Sequence, residues 1–109
     1  MVTFAKPPQV TYPTGVAASG NGDVYVSVDL DVLDPSMMAA VGTPEPGGMG
    51  WEQLTGLLRR VAESRRIVGF DVCELAPREG PTACTYTAAK LVYKLIAYAS
   101  RSTAGLPPR

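Results

Sequence analysis

The stretch VSVDLDVLDPS, residues 26–36, decides the fold because it sets three aspartates into a run of valines and leucines. Valines at positions 24, 26 and 28 share one parity, whereas Asp29 and Asp31 fall on the other. A period of two is that of a β-strand. On a strand that runs through both aspartates, their side chains leave the same face with Cα atoms about 6.6 Å apart. The stretch therefore predicts a strand with converging carboxylates at its carboxyl end.

The rest of the chain alternates helices and strands. Pro and Gly keep the chain irregular from Asp34 to about residue 50; such a long loop is usually functional or disordered. Apolar spacing then predicts a helix from Trp51, with Trp51 as its packing anchor, a strand covered on both faces over residues 67–75, and a second helix from about Thr85. Strands joined by helices pair in parallel, and ligands bind beyond their carboxyl ends. Two strands make a poor sheet alone, so we expect part of a larger α/β domain.

Composition limits the classes of function. The 109 residues carry ten basic and ten acidic side chains, so we expect neither nucleic acid nor a membrane surface as partner. No segment approaches the ~20 apolar residues of a membrane span or resembles a secretory signal, which predicts a cytoplasmic protein with reduced cysteines. The chain has no histidine and so lacks the commonest general base. Residues 1–22 are expected to be an irregular lead-in, and residues 23–109 the domain.

The paired aspartates allow two interpretations. Two ionised carboxylates close together repel each other, and a divalent cation such as Mg²⁺ or Mn²⁺ is the commonest way to make the pair favourable. Alternatively, Asp29 and Asp31 face water on an exposed sheet face. Asp34, which precedes Pro35, is predicted to open a turn in either case. The spacing alone leaves both interpretations open.

Three blocks of sequence occur in a characteristic order: DLDVLDP at 29–35, GTPEPGG at 42–48 and FDVCELAP at 70–77. Together they resemble the C-terminal part of the ureohydrolases, the arginase and agmatinase family, and look closest to its agmatinase-like members. The resemblance implies the C-terminal portion of a three-layer α/β/α arginase-like fold with a parallel sheet. It also implies hydrolysis of a linear guanidino C–N bond with two Mn²⁺ ions, as in the conversion of agmatine to putrescine and urea in polyamine biosynthesis.

Carried over position by position, the resemblance implies that Asp29 and Asp31 are metal ligands. Glu74 matches the family's carboxylate that holds the substrate guanidinium, and Thr43 lies in the loop that lines the pocket. A bidentate carboxylate suits the planar fork of N–H donors on a guanidinium. No catalytic residue is assigned in this chain.

One departure from the family pattern concerns the metal ligands. The family's two histidines and further aspartates lie in GGDH-like and DAHxD-like motifs, and this chain has neither motif. The Mn²⁺ ligand set is therefore incomplete, and we expect the isolated chain to be inactive without an upstream complementary chain or segment. Complete, it would act on a small guanidino substrate as a homo-oligomer, a trimer or hexamer. The alternative is a noncatalytic truncated remnant or interaction module that assembles through an open sheet edge.

Overall fold

The computed structural model describes residues 2–4 and 22–104, apart from the side chains of residues 2–4 and 103–104. The elements are β1 (Val2–Phe4), β2 (Val24–Asp29), α1 (Trp51–Ser64), β3 (Ile67–Cys73) and α2 (Thr82–Ala104), with short 3-10 helices at Leu30–Val32 and Pro77–Glu79. From residue 24 onward, the predicted order of strand, helix, strand, helix is confirmed.

The three strands form one sheet in the order β1-β2-β3, and both pairings are parallel. The predicted parallel pairing of the strands on either side of α1 is therefore confirmed. β1 differs from the irregular chain expected there: it pairs Val2 with Val26 and so satisfies backbone groups along an edge that β2 would otherwise leave open. Residues 5–21 of the predicted lead-in lie outside the described residues.

The hydrophobic core lies on the valine face of β2. Val26 and Val28 are fully buried, whereas Tyr25, on the opposite face, is 40% exposed. The fully buried residues of the helices belong to the same apolar cluster: Leu54 and Leu58 of α1, and Leu91 and Leu95 of α2. Both helices therefore cover one face of the sheet, because packing their apolar stripes against the valines of β2 removes both surfaces from water.

β3 departs from the strand predicted over residues 67–75 with both faces covered. It ends at Cys73, and Val68 is 60% exposed. Within the described residues β3 pairs only with β2, and both helices lie on the core side of the sheet. The described part of the chain therefore buries only one face of β3.

The two helices begin and end at identifiable contacts. Trp51 opens α1 and packs against the core, as predicted. α2 begins at Thr82 rather than at about Thr85, because Pro81 starts its first turn by accepting a hydrogen bond from the Cys84 N–H at 3.0 Å. Cys73 and Cys84 are both free, in agreement with the expectation of reduced thiols. No helix of the described part combines the length and apolar character needed to cross a bilayer.

The C-terminal end of α2 is tied to the start of β3 by a buried hydroxyl. Ser102 Oγ accepts a hydrogen bond from the Ile67 N–H at 2.9 Å and donates one to Ala99 O at 2.7 Å. Ser102 is only 4% exposed. This contact fixes α2 against the strand that leads to Glu74.

Candidate active site

Asp29 and Asp31 do not share one strand face, so the predicted strand geometry is wrong at this point. β2 ends at Asp29, and Asp31 lies in the 3-10 helix Leu30–Val32. The backbone N–H of Asp31 donates a hydrogen bond to Asp29 Oδ1 at 2.9 Å. This capping bond competes with strand continuation, since a short side-chain acceptor satisfies an N–H that the turn leaves free. Both carboxylates nevertheless stay at the carboxyl end of β2, where parallel sheets bind ligands.

The Asp31 carboxylate has two different environments. Thr43 Oγ1 donates a hydrogen bond to its Oδ2 atom. Its Oδ1 atom is buried and has no hydrogen-bond partner in the described structure. An unsatisfied buried carboxylate oxygen is costly, and a donor or a cation at this point would remove the cost. Asp31 and Thr43, both predicted as site residues, are thus in direct contact.

Asp34 does more than open the predicted turn. Its Oδ2 atom accepts hydrogen bonds from the N–H and the hydroxyl of Ser36, and its Oδ1 atom accepts from the N–H groups of Gly47 at 2.9 Å and Gly48 at 3.1 Å. These bonds, led by the Ser36 hydroxyl, lower the pKa of Asp34 to about 2. The carboxylate therefore joins the two ends of the loop that carries Thr43, a role that sequence reasoning missed.

Two glycines make that closure possible. Gly47 has a φ of 86°, a positive value that glycine adopts without steric cost. At Gly48 the requirement is space, since a Cβ atom there would lie 2.4 Å from the backbone N of Asp34. Both glycines let the backbone approach the Asp34 carboxylate, Gly47 by its conformation and Gly48 by its lack of a side chain.

Glu74 lies directly after β3 and is exposed to solvent. Its φ is 76°, a conformation that costs a non-glycine residue on the order of 1–2 kcal/mol and that clusters at functional sites. A Cβ atom placed on Gly42 would lie 3.9 Å from Oε2 of Glu74. Val41 forms an antiparallel bridge with Leu75. The Glu74 segment and the loop that carries Thr43 are therefore neighbours.

Cys73 lies among these acidic side chains. Its thiol pKa is raised by burial and then by four nearby carboxylates, those of Asp29, Asp71, Glu74 and Asp31. Its Sγ atom lies 3.5 Å from Val28 O, and in the sheet Cys73 is paired with Asp29. The sequence shows that Cys73 directly precedes Glu74, whereas its pairing with Asp29 is visible only in the sheet.

Burial also raises the pKa of Asp29, and the hydrogen bond from the Asp31 N–H partly opposes that rise.

A second contact joins β2 and β3 two residues before Asp29 and Cys73. Asp71 Oδ1 accepts a hydrogen bond from Ser27 Oγ at 2.9 Å. A hydrogen bond to Asp71 is the main cause that raises the pKa of Tyr25. Asp71 thus orients Ser27 and Tyr25 and joins β2 to β3 just before both strands reach the site.

The donors at the end of β2 fit the implied metal pair only in part. The buried, unpartnered Oδ1 of Asp31 suits a cation, and carboxylate oxygens suit Mn²⁺. Within residues 22–104, however, no group of three or more His, Cys, Asp or Glu side chains is arranged to hold a metal ion. Asp29 and Asp31 therefore do not hold a metal pair by themselves.

The fold and the site together are those of a parallel α/β protein with acidic and hydroxyl side chains gathered at the carboxyl edge of its sheet. Residues 11–97 match the family model described as the arginase family, a match that starts twelve residues before the boundary predicted at residue 23. The chain belongs to the arginase family, and the predicted ureohydrolase resemblance and arginase-like α/β fold are confirmed.

Individual relatives agree with this assignment. The chain is 40% identical to N(1)-aminopropylagmatine ureohydrolase of Synechocystis sp., over 76% of this chain and 27% of the relative. It is 36% identical to agmatinase of Pyrococcus horikoshii, over 72% of this chain and 28% of the relative. The structure of proclavaminate amidino hydrolase from Streptomyces clavuligerus superposes with a TM-score of 0.70 at 37% identity, over 76% of this chain and 28% of that one. The chain thus spans about a quarter of the length of the relatives it matches.

Proposed function

We propose that this chain supplies part of the active site of a manganese-dependent, agmatinase-like ureohydrolase, which hydrolyses a guanidino C–N bond. The observation that carries the proposal is the convergence of the four predicted residues. Thr43 bonds Asp31, Asp31 is capped by Asp29, and the loop of Thr43 lies against the Glu74 segment. Relatives named for agmatine and aminopropylagmatine support the same class of substrate.

Each residue has a role that its surroundings favour. Asp29 and Asp31 offer carboxylate oxygens to the metal, and Thr43 holds the Asp31 carboxylate in one orientation. Glu74, exposed and held at a positive φ, binds the guanidinium through two parallel N–H···O bonds. A metal pair held in part by Asp29 and Asp31 would supply Lewis-acid activation of water at neutral pH. Glu74 would orient the guanidinium carbon, and such orientation lowers the barrier to attack.

The remaining metal ligands come from residues outside this sequence, either in a joined segment or in a separate chain. The chain has no histidine, and the described residues form no three-ligand group. With Mn²⁺ and agmatine, the 109-residue chain by itself is expected to release no urea above background. Turnover at a rate typical of enzymes would contradict this part of the proposal.

A chimera tests the residue roles. Residues 24–98 would replace the matching C-terminal part of the Synechocystis relative, which supplies its own remaining residues. We expect Mn²⁺-dependent urea release from agmatine or aminopropylagmatine, reduced at least about a hundredfold by Asp29→Ala plus Asp31→Ala. Glu74→Gln should raise KM or lower kcat without removing bound manganese. Glu63→Ala, on the exposed side of α1 and ion-paired with Arg59, serves as the matched acidic control. An active chimera that tolerates the double alanine change would refute the assignment.

A noncatalytic interaction module is the second candidate, and one observation favours it. Within the described residues, the edge of β3 that faces away from β2 is unpaired. Val68 of the same strand is 60% exposed. Open strands of this kind invite pairing with another chain. On this view the 109-residue chain folds and associates, while the chimera shows no Mn²⁺-dependent hydrolysis. Light scattering combined with the urea assay separates the two candidates.

A further inference from the structure

We propose that Asp34 is a positioning residue: its carboxylate closes the loop between residues 34 and 48 and so fixes where Thr43 and Glu74 stand relative to Asp31. The consequence for catalysis rests on the proposed function, whereas the closure itself does not. Asp34 touches neither Asp31 nor Glu74 by any hydrogen bond between the described side chains, and its effect on them passes through the loop.

The closure is made from both ends of the loop at one residue. The Asp34 carboxylate accepts bonds from Gly47 and Gly48, thirteen and fourteen residues away. The Asp34 N–H donates to Met49 O at 2.9 Å, and the Met49 N–H donates to Val32 O at 2.8 Å. The loop thus begins and ends at the parallel bridge between Leu33 and Met49. The Asp34 carboxylate accepts hydrogen bonds from two further N–H groups, those of Gly47 and Gly48, which the bridge does not use.

Contacts from the middle of this loop reach both halves of the site. Thr43 donates to Asp31 at the end of β2. On the other side, Ala40 O accepts a hydrogen bond from the Ala76 N–H at 2.8 Å, two residues after Glu74. No other hydrogen bond in the described residues holds Thr43 or the Ala76 N–H. The Val41–Leu75 bridge and the burial of Ala40 and Val41 also hold this part of the loop, so opening at its base should loosen both contacts without releasing the loop from the core.

The simpler reading is that Asp34 only shapes a local turn. Its carboxylate does bond Ser36, and its carbonyl accepts the N–H groups of Met37 and Met38, each at 2.9 Å. Those bonds span four residues and would be complete without the glycines. The bonds to Gly47 and Gly48 have no part in a local turn, and this difference makes the two readings separable.

Amide hydrogen exchange of the 109-residue chain, followed by NMR at pH 7, tests the proposal. In Asp34→Ala, the acceleration of exchange at the amides of Gly48, Met49 and Ala76 should exceed that at core amides such as those of Leu58 and Leu91 by at least about tenfold. Asp34→Asn should restore part of the protection, because its amide oxygen still accepts from the glycines. Gly48→Ala should reproduce the alanine pattern without a change of charge, and Glu63→Ala should leave every rate unchanged.

Two results would overturn the proposal: faster exchange confined to residues 36–38, or equal acceleration at Leu58, Leu91 and Ala76. The first would leave Asp34 as a turn former, and the second as a contributor to overall stability only. If Asp34→Ala fails to fold, Asp34→Asn and Gly48→Ala carry the same comparison. Neither metal nor substrate is present, so failure here would leave the chimera result intact, and failure of the chimera would leave the loop closure intact.

Discussion

Thr43 Oγ1 donates a hydrogen bond to Oδ2 of Asp31, a residue twelve positions earlier in the chain. The bond joins the loop that carries Thr43 to the 3-10 helix that directly follows β2. Because Oδ1 of the same carboxylate is buried without a partner among the described residues, the hydroxyl also determines which oxygen is left for a further ligand. Asp31 is therefore oriented before any ligand arrives, which lowers the entropy lost on binding.

Thr43→Val should lower the free energy of unfolding by about 1 kcal/mol, because valine keeps the shape but removes the donor to Asp31. Thr43→Ser keeps the hydroxyl and should cost less. Urea denaturation of the 109-residue chain at pH 7 measures both. In the chimera, Thr43→Val should weaken Mn²⁺ binding more than Thr43→Ser does. A larger effect of Thr43→Ser than of Thr43→Val would show that the methyl group, and not the hydroxyl, is what the site uses.

How far the sequence predicts this molecule depends on the range of the interactions involved. Period two gave β2, and helical spacing gave α1 and α2, since these patterns reflect burial against a core. The periodicity does not predict where β2 ends or where α2 begins. Single hydrogen bonds mark these points, from the Asp31 N–H to Asp29 Oδ1 and from the Cys84 N–H to Pro81 O. Asp31 was accordingly placed on a strand that stops two residues earlier.

The alternation of strands and helices predicted that Asp31 and Glu74 lie at the carboxyl edge of the sheet, and the order of three sequence blocks added their implied roles. Asp29, Asp31, Thr43 and Glu74 do lie at one edge of the sheet, but the geometry that unites them depends on residues given no role. Asp34 bonds Gly47 and Gly48 across the loop, and Glu74 takes a positive φ. Contacts over thirteen residues or more follow from tertiary structure, so spacing within one block could not reveal them.

Gly48→Ala should destabilise the chain by about 1–3 kcal/mol or more, because the new Cβ would lie 2.4 Å from Asp34 N and 2.6 Å from Leu33 C, both backbone atoms. Gly56→Ala is the matched change in open space, since nothing lies within 4 Å of a Cβ there. In the middle of α1 it should stabilise by up to about 1 kcal/mol. Thermal unfolding of both variants at one pH provides the comparison, and a loss from Gly56→Ala as large as that from Gly48→Ala would contradict it.

Ser102→Ala should cost about 1–3 kcal/mol, because it leaves the Ile67 N–H buried without an acceptor. Alanine is a better helix former than serine, so a loss cannot be blamed on helix propensity. Ser64→Ala removes a comparable but exposed bond, from Ser64 Oγ to Arg60 O, and should change stability by less than about 0.5 kcal/mol. Denaturant titration separates them, and equal small effects would mean that water reaches Ile67.

Acid should weaken the chain partly through Asp34. Hydrogen bonds led by the Ser36 hydroxyl hold its pKa at about 2, below the ordinary value of 3.8. A folded-state pKa lower than the unfolded one means that the carboxylate contributes its full stabilisation above the unfolded pKa. That contribution is then lost as the pH falls through about 2.

Stability measured by denaturant titration between pH 6 and 2 should therefore fall more steeply for the parent chain than for Asp34→Asn, with the two curves converging at the acid end. Ser36→Ala should give an intermediate slope, because it removes the largest single cause of the lowered pKa. Parallel curves for the parent and Asp34→Asn would show that this carboxylate is not bonded in the folded chain as described.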